Sequence, residues 1–309
     1  MDFFDLHCDT LTHSHDDHKN IKDGALQITL DKAKNIKRHA QCFAVYIRDS
    51  YRGDAAWKYF EDIYEYFRHE LSAYPDRWEQ VVSGGDIARI SESGKTAAIL
   101  TIEGGAVLGG KIERLSGLAD RGVKMMTLTW NGENEIGFGM PNPDRGLKPF
   151  GVELVREMEK TGMIIDVSHL SDTGVEDVFK NVGCAVAASH SNSRAVCGHA
   201  RNLTDEFFTE IVRRKGIVGM NFYRDFVDDV PDRADYAGLA KHIEHFLELG
   251  GEDVVCMGSD FDGCDTIPGL EDVGMTANFR KYLQDSGFDR KTLDKIFWQN
   301  AYDFMTARF

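Results

Sequence analysis

Eight short apolar runs, separated by longer stretches of helical period, constrain the fold of this chain more than any other feature. The runs are "FFDLHCD" (residues 3 to 9), "CFAVYI" (42 to 47), "TAAILTIE" (96 to 103), "VKMMTLTW" (123 to 130), "MIIDVSH" (163 to 169), "CAVAASH" (184 to 190), "GIVGMNF" (216 to 222) and "DVVCMGSD" (253 to 260). Most are nearly continuous in Val, Ile, Ala and Met, as expected of parallel strands covered on both faces, although Lys124 makes the fourth fit less well. Between them apolar residues recur at three- and four-residue steps: Trp57, Phe60, Tyr64, Phe67 and Leu71, then Ile112, Leu115 and Leu118. Val175, Val178, Phe179 and Val182 follow the capping residues Ser171 and Asp172, and Phe207, Phe208, Ile211 and Val212 follow Thr204. Leu239, Ile243, Phe246 and Leu247 precede Gly250 and Gly251, which end that helix.

Eight βα units in 309 residues predict a closed (β/α)8 TIM barrel rather than an open doubly wound sheet, with residues 1–309 forming a single domain. No Gly-rich phosphate loop, internal repeat or low-complexity linker argues otherwise. The long connections 48–95 and 261–295 are expected as helical additions at the barrel rim.

Lys and Arg number 36 against 51 for Asp and Glu, a net charge of −15, which opposes binding to nucleic acid or to an anionic membrane and points to a small-molecule substrate. No apolar run approaches the ~20 residues of a membrane span, and no basic-then-apolar leader is visible, so a cytoplasmic location is expected. The six cysteines, Cys8, Cys42, Cys184, Cys197, Cys256 and Cys264, form no CxxC pair and are expected as reduced thiols. Whether the chain forms a homodimer is left open by the sequence.

The runs end unusually. His7 and Asp9 close the first, Glu103 the third, His169 the fifth, His190 the sixth and Asp260 the eighth. Side chains at i and i+2 of a strand leave the same face, which aims His7 and Asp9 at one point. Any one of these residues alone reads more readily as a turn or cap. Their shared position at carboxyl ends, which in a barrel converge on one mouth, would put three imidazoles and three carboxylates in a single cavity, where uncompensated charge is costly. That set exceeds the need of one tetrahedral zinc and suits two ions sharing a carboxylate, the machinery of metal-assisted hydrolysis.

Cys8 should face away and pack. "HSHDDH" (13 to 18) lies beyond the strand end and reads as a solvated loop; His242 should be exposed and His245 half-buried. His39, His69 and His199 have no evident company. "SDFDGCD" (259 to 265) lacks the spacing and terminal Glu of a calcium loop, so Asp262 reads as turn-forming.

The pieces "DLHCDT", "TIEGG", "IIDVSH", "ASHSNSRAVCGHARNLTD" and "GSDFDG", in this order over nearly the whole chain, resemble the renal (membrane) dipeptidases and their bacterial relatives, within the amidohydrolase-like metal-dependent hydrolases. The resemblance implies a barrel enzyme with two zinc ions, His7 and Asp9 on the first, His169 and His190 on the second, and Glu103 bridging. It implies that Arg201 binds the terminal carboxylate of a dipeptide, and that Asp260 handles protons around a metal-bridging hydroxide. From the residues alone Arg201 reads as a surface arginine near the Thr204 cap, and Asp260 as a further ligand. Asn221 and Tyr223 are candidate pocket residues, with strand-end capping and rim packing as the other reading. Tolerance of a D-residue at the carboxyl-terminal position is implied by the family alone.

One departure stands out: the renal-type pattern reads "LTH" after the fourth strand, where this chain reads "LTWNGEN". Trp130 can stack or donate one hydrogen bond but cannot carry a histidine's charge, and Asn131 is a candidate substitute donor. Two rival readings follow. One is another amidohydrolase-type reaction, on a cyclic amide, lactone or phosphotriester, although such relatives usually begin HxH where this chain has HxD. The other is a catalytically silent metal-binding protein, for which Trp130 is the best support.

Overall fold

The computed structural model describes residues Met1–Phe309 and contains nine strands: β1 (Asp2–Cys8), β2 (Arg38–Tyr46), β3 (Trp78–Gln80), β4 (Thr96–Glu103), β5 (Val123–Thr127), β6 (Ile164–Asp166), β7 (Ala187–Ala188), β8 (Ile217–Met220) and β9 (Val255–Met257). All pairings are parallel, in the order β2-β1-β9-β8-β7-β6-β5-β4, and β4 pairs back onto β2 from His39↔Thr96 to Tyr46↔Glu103. The eight apolar runs thus close into a (β/α)8 barrel. β3 arises in the 48–95 connection, for which only helical additions are expected. Its three residues pair with Thr96–Ala98, the edge of β4 left open because β5 joins only at Leu100. Lys124 is accommodated at the surface, where its Nζ donates to the Val82 carbonyl at 2.6 Å.

Each barrel strand gives at least one residue to an 18-residue buried cluster: Phe4, Ala40, Ala97, Met125, Ile164, Ala187, Ile217 and Cys256 are the representatives in strand order. Ala and Cys suit the narrow inside of such a barrel, and Val81, Ile87 and Ile90 after β3 join this cluster together with Trp298, Ala301, Phe304 and Met305 from the terminal helical segment. A larger cluster of 63 residues joins the other strand faces to the helices. There Phe208 and Phe246, fully buried on the helices Asp205–Arg213 and Tyr236–Glu248, stack with ring centroids 3.9 Å apart. Helix starts follow the expected caps, since Ser171 Oγ accepts from Gly174 N at 3.1 Å and Thr204 Oγ1 from Phe207 N at 3.3 Å. No helix is long and apolar enough to cross a membrane, and all six cysteines are free.

Two local expectations are corrected. "HSHDDH" is not a loop: its first four residues end the helix Thr10–Asp16, whose Leu11, Thr12 and Ser14 are buried, Thr12 against Ala44 of β2 and Ser14 against Tyr66 of the helix Gly53–Ala73. His242 is fully buried, accepting from Ser193 N at 3.1 Å and donating to Val227 O at 3.0 Å. Its helix packs against the segment after β7 as well as the barrel, so the buried face is wider than a single apolar stripe.

Candidate metal centre

The six strand-end residues meet at the barrel mouth, though not by the plain strand geometry that suggested them. The β1/β2 register shifts between Asp5 and Cys8, and Asp9 already has the near-helical backbone of the N-cap of Thr10–Asp16. This bulge and turn bring His7 Nε2 to 3.5 Å from Asp9 Oδ2, while Cys8 packs in the outer core as expected. Glu103 is the last residue of β4. Its Oε2 lies 3.8 Å from His7 Nε2, and its Oε1 lies 2.9 Å from His169 Nε2 and 3.5 Å from His190 Nε2. Asp260 Oδ1 completes the ring, 3.8 Å from His7 Nε2. His169 and Asp260 adopt left-handed backbones (φ 65° and 63°), a conformation that costs a non-glycine residue on the order of 1 kcal/mol or more and is here spent on aiming two side chains inward. Gly263 leaves room for them, because a Cβ there would stand 2.1 Å from Asp9 Oδ2 and 2.6 Å from Asp260 Oδ1 and would push both carboxylates from their places.

Hydrogen bonding fixes where the lone pairs point. Asn131 Oδ1 can only accept, so the His169 Nδ1 it meets at 2.9 Å is the protonated nitrogen, and His169 Nε2 carries a lone pair. Ser189 Oγ donates its one proton to Asp166 Oδ2, so it accepts from His190 Nδ1 at 2.7 Å and leaves His190 Nε2 likewise bare. The two bare nitrogens face each other at 2.9 Å, with Glu103 Oε1 2.9 Å from one of them. His7 Nε2 and Asp9 Oδ1 are also buried without a hydrogen-bond partner. Lone pairs and carboxylates gathered this closely, away from water, favour a positive charge among them. The nitrogen and oxygen donors fit a divalent transition ion, zinc included. Both groups of three or more side chains close enough to share an ion, His7–Glu103–His190 and His7–Asp9–Asp260, lie here.

The protonation equilibria tell the same story. Burial opposes a charge on His7, but Glu103, Asp9 and Asp260 outweigh it and push its pKa up to about 10. Burial, joined by the Arg201 and His7 charges, drives His169 and His190 well below the usual range. Burial raises Glu103 well above the carboxylate range, with Asp9 adding to the effect, and lifts Asp260 to about 6.

The remaining sequence candidates fall at different distances from the mouth. A cavity of about 540 Å³ opens over the centre, and Trp130, Asn131 and Tyr223 line it. Trp130 packs edge-on against Tyr46 with ring centroids 5.1 Å apart. Asn221, expected on the wall, is instead fully buried behind it, donating to Asp260 Oδ2 at 2.9 Å and to His190 O at 3.4 Å. Arg201 is buried rather than exposed, donating to Ser191 Oγ at 3.1 Å and His190 O at 3.3 Å, with Nε unpartnered and no carboxylate in ion-pair contact. Asp262 lines the cavity from a left-handed turn and also tethers the loop after β1, accepting from Gln27 N at 2.6 Å.

Several site residues escaped the sequence reading. Tyr46, Phe226, Cys264 and His13, the first residue of "HSHDDH", also line the cavity, and nothing in their local pattern marks them. Two buried carboxylates were equally overlooked. Asp166 Oδ1 accepts from Ser168 N at 3.0 Å and Ser189 N at 2.9 Å, fastening the ends of β6 and β7. Asp5 Oδ1 accepts from Ser259 N at 2.8 Å and His7 N at 3.4 Å, fastening β1 and β9 in the same way. A carboxylate inside an apolar run was the available signal, since such a group persists only where donors await it.

A closed parallel barrel with imidazoles and carboxylates at its carboxyl mouth defines the class of metal-dependent barrel hydrolases. Within it, the profile of the membrane dipeptidases, peptidase family M19, matches residues 1–307, and the chain belongs to that family. An uncharacterized protein of Klebsiella pneumoniae is 30% identical over 261 residues, 80% of this chain and 93% of that protein. The dipeptidase tcpJ of Claviceps purpurea is 30% identical over 236 residues, 75% of this chain and 55% of that one, and an uncharacterized dipeptidase of Schizosaccharomyces pombe is 35% identical over 194 residues, 60% and 47%. The chain therefore matches about half the length of these two fungal relatives. The crystal structure of a metallopeptidase from Rhodobacter sphaeroides, liganded with a phosphinate mimic of the dipeptide L-Ala-D-Ala, superposes with a TM-score of 0.92 at 23% identity, covering 100% of this chain and 99% of that one. The metallopeptidase dipeptidase AC gives 0.93 at 24% identity, covering 100% and 98%. At these identities the likeness is one of fold.

Proposed function

We propose that the chain is a zinc-dependent dipeptidase in which His7 and Asp9 hold one ion, His169 and His190 a second, and Glu103 both. The observation that carries this reading is the division of Glu103, whose Oε2 faces His7 while Oε1 faces His169 and His190. Two divalent ions held so would polarise the scissile carbonyl and lower the pKa of water near neutrality. The protein's own groups do the rest. Asp260, lifted by burial to about 6 and oriented by Asn221, is poised to take a proton from the attacking water and return it to the departing amine. Arg201, a buried cation lacking a carboxylate partner, receives the substrate's terminal carboxylate through its planar fork. Trp130, Asn131 and Tyr223 contact the substrate along the wall of a cavity sized for a short peptide. The phosphinate mimic bound by the Rhodobacter relative supports dipeptides, L,D-dipeptides among them. The free thiols suit a reducing cytoplasm.

Turnover of a panel of L,L and L,D dipeptides, their C-terminal amides, tripeptides, lactones and cyclic amides, with added Zn2+, tests the reading. Release of amino acids from free dipeptides and little from amides or tripeptides is expected. Turnover confined to lactones or cyclic amides, or none at all, would contradict it.

A further inference from the structure

We propose that Asn131 and the Ser189–Asp166 pair are positioning residues that lock His169 and His190 as Nδ1-protonated tautomers, so that both Nε2 lone pairs face the metal position. The inference rests on the proposed metal centre and concerns residues that touch neither ion nor substrate through these bonds. Each imidazole has one nitrogen turned to the mouth and one turned away, and the bond made by the outer nitrogen decides which carries the proton. For His169 the outer partner is Asn131 Oδ1 at 2.9 Å, an obligate acceptor, on the loop after β5. For His190 it is Ser189 Oγ at 2.7 Å, whose proton is committed to Asp166 Oδ2.

The two devices differ in rigidity. Asp166 is fully buried and also accepts from Thr127 Oγ1 at 2.6 Å, Ser168 N at 3.0 Å and Ser189 N at 2.9 Å, so β5, β6 and β7 all converge on one carboxylate. Its negative charge is relayed to His190 through a hydroxyl, which leaves the imidazole neutral while making it a better donor to a cation. Asn131 is half-buried at the cavity wall and offers a neutral acceptor on a loop. His190 is thereby the firmly held ligand and His169 the adjustable one.

The test needs no activity. In the metal-free protein, 15N NMR of the histidine rings should show His169 and His190 protonated at Nδ1 and bare at Nε2; Nε2-protonated rings would overturn the proposal. Zn2+ titration of the full chain against a chromogenic chelator gives the second readout. Ser189→Ala and Asn131→Leu should each weaken one of the bound equivalents about 10- to 100-fold, whereas Asn131→Asp, which keeps the acceptor, should stay within a few-fold of the parent. Unchanged affinity in Ser189→Ala and Asn131→Leu would also overturn it. If the parent chain binds no Zn2+ the metal centre itself fails, an outcome distinct from a parent that binds and variants that bind equally well.

Discussion

Replacing Arg201 with Met should separate catalysis from stability. Arg201 is 5% exposed and burial drives its pKa down to about 10, so the cation is held at a desolvation cost with no ion-pair partner. Its two acceptors keep other company: Ser191 Oγ lies 3.3 Å from Ser168 Oγ, and the His190 carbonyl accepts from Asn221 Nδ2 at 3.4 Å. Removing the charge therefore strands neither acceptor, and Met restores most of the aliphatic volume. The unfolding free energy should move by no more than about 1 kcal/mol, in either direction. The loss in the transition-state complex is larger. Two charge-assisted hydrogen bonds to a substrate carboxylate, at about 1.5 to 3 kcal/mol each, sum to about 3 to 6 kcal/mol. At about 1.4 kcal/mol per decade, kcat/KM for free dipeptides should fall roughly 10²- to 10⁴-fold. C-terminal amides, which lack the carboxylate, should be nearly indifferent to the substitution. Steady-state kinetics on paired dipeptide and amide substrates, with urea unfolding of both proteins, supplies every quantity. Equal losses on acid and amide would refute the assignment, and so would a collapse in stability, which would make Arg201 a structural group.

Two further perturbations follow from the packing. His39 is fully buried and burial lowers its pKa to about 4, so between pH 6.5 and 4 the unfolded chain binds a proton that the native state refuses. Its contribution makes stability fall as pH falls, and His39→Gln should remove a slope of up to about 1.4 kcal/mol per pH unit relative to the parent, read from urea midpoints across that window; parallel pH profiles would show that His39 does not titrate this way. At Gly258 a Cβ would stand 1.8 Å from Ser189 O and 2.9 Å from Gly219 Cα, so Gly258→Ala must push β7 away from the end of β9. It should lower Tm by several degrees and weaken Zn2+ binding through Ser189 and His190, and a variant equal to the parent in both would contradict the packing argument.

The barrel was legible because parallel strands covered on both faces leave long apolar runs, and all eight of them became barrel strands. Their ends were less so. β2 begins at Arg38, four residues before its apolar run, because the buried polar residues His39 and Gln41 find partners in Thr96 and Asp5. β7 keeps only Ala187–Ala188 of a seven-residue run, since His190 and its neighbours leave the ladder to reach the mouth. The convergence of His7, Asp9, Glu103, His169, His190 and Asp260 was readable from topology, because strand ends of a barrel share one face. What sequence could not supply was everything that depends on tertiary partners: the bulge that turns His7 toward Asp9, Asn221 behind Asp260 rather than on the wall, the burial of His242 and Arg201, and the engagement of Asn131 Oδ1 by His169.

Crystals grown with Zn2+ and measured at the zinc absorption edge test the central claim most directly. Two anomalous peaks are expected, one bonded to His7 and Asp9, the other to His169 and His190, each also about 2.0 to 2.2 Å from an oxygen of Glu103. A single peak, or a pair that Glu103 does not join, would contradict the account.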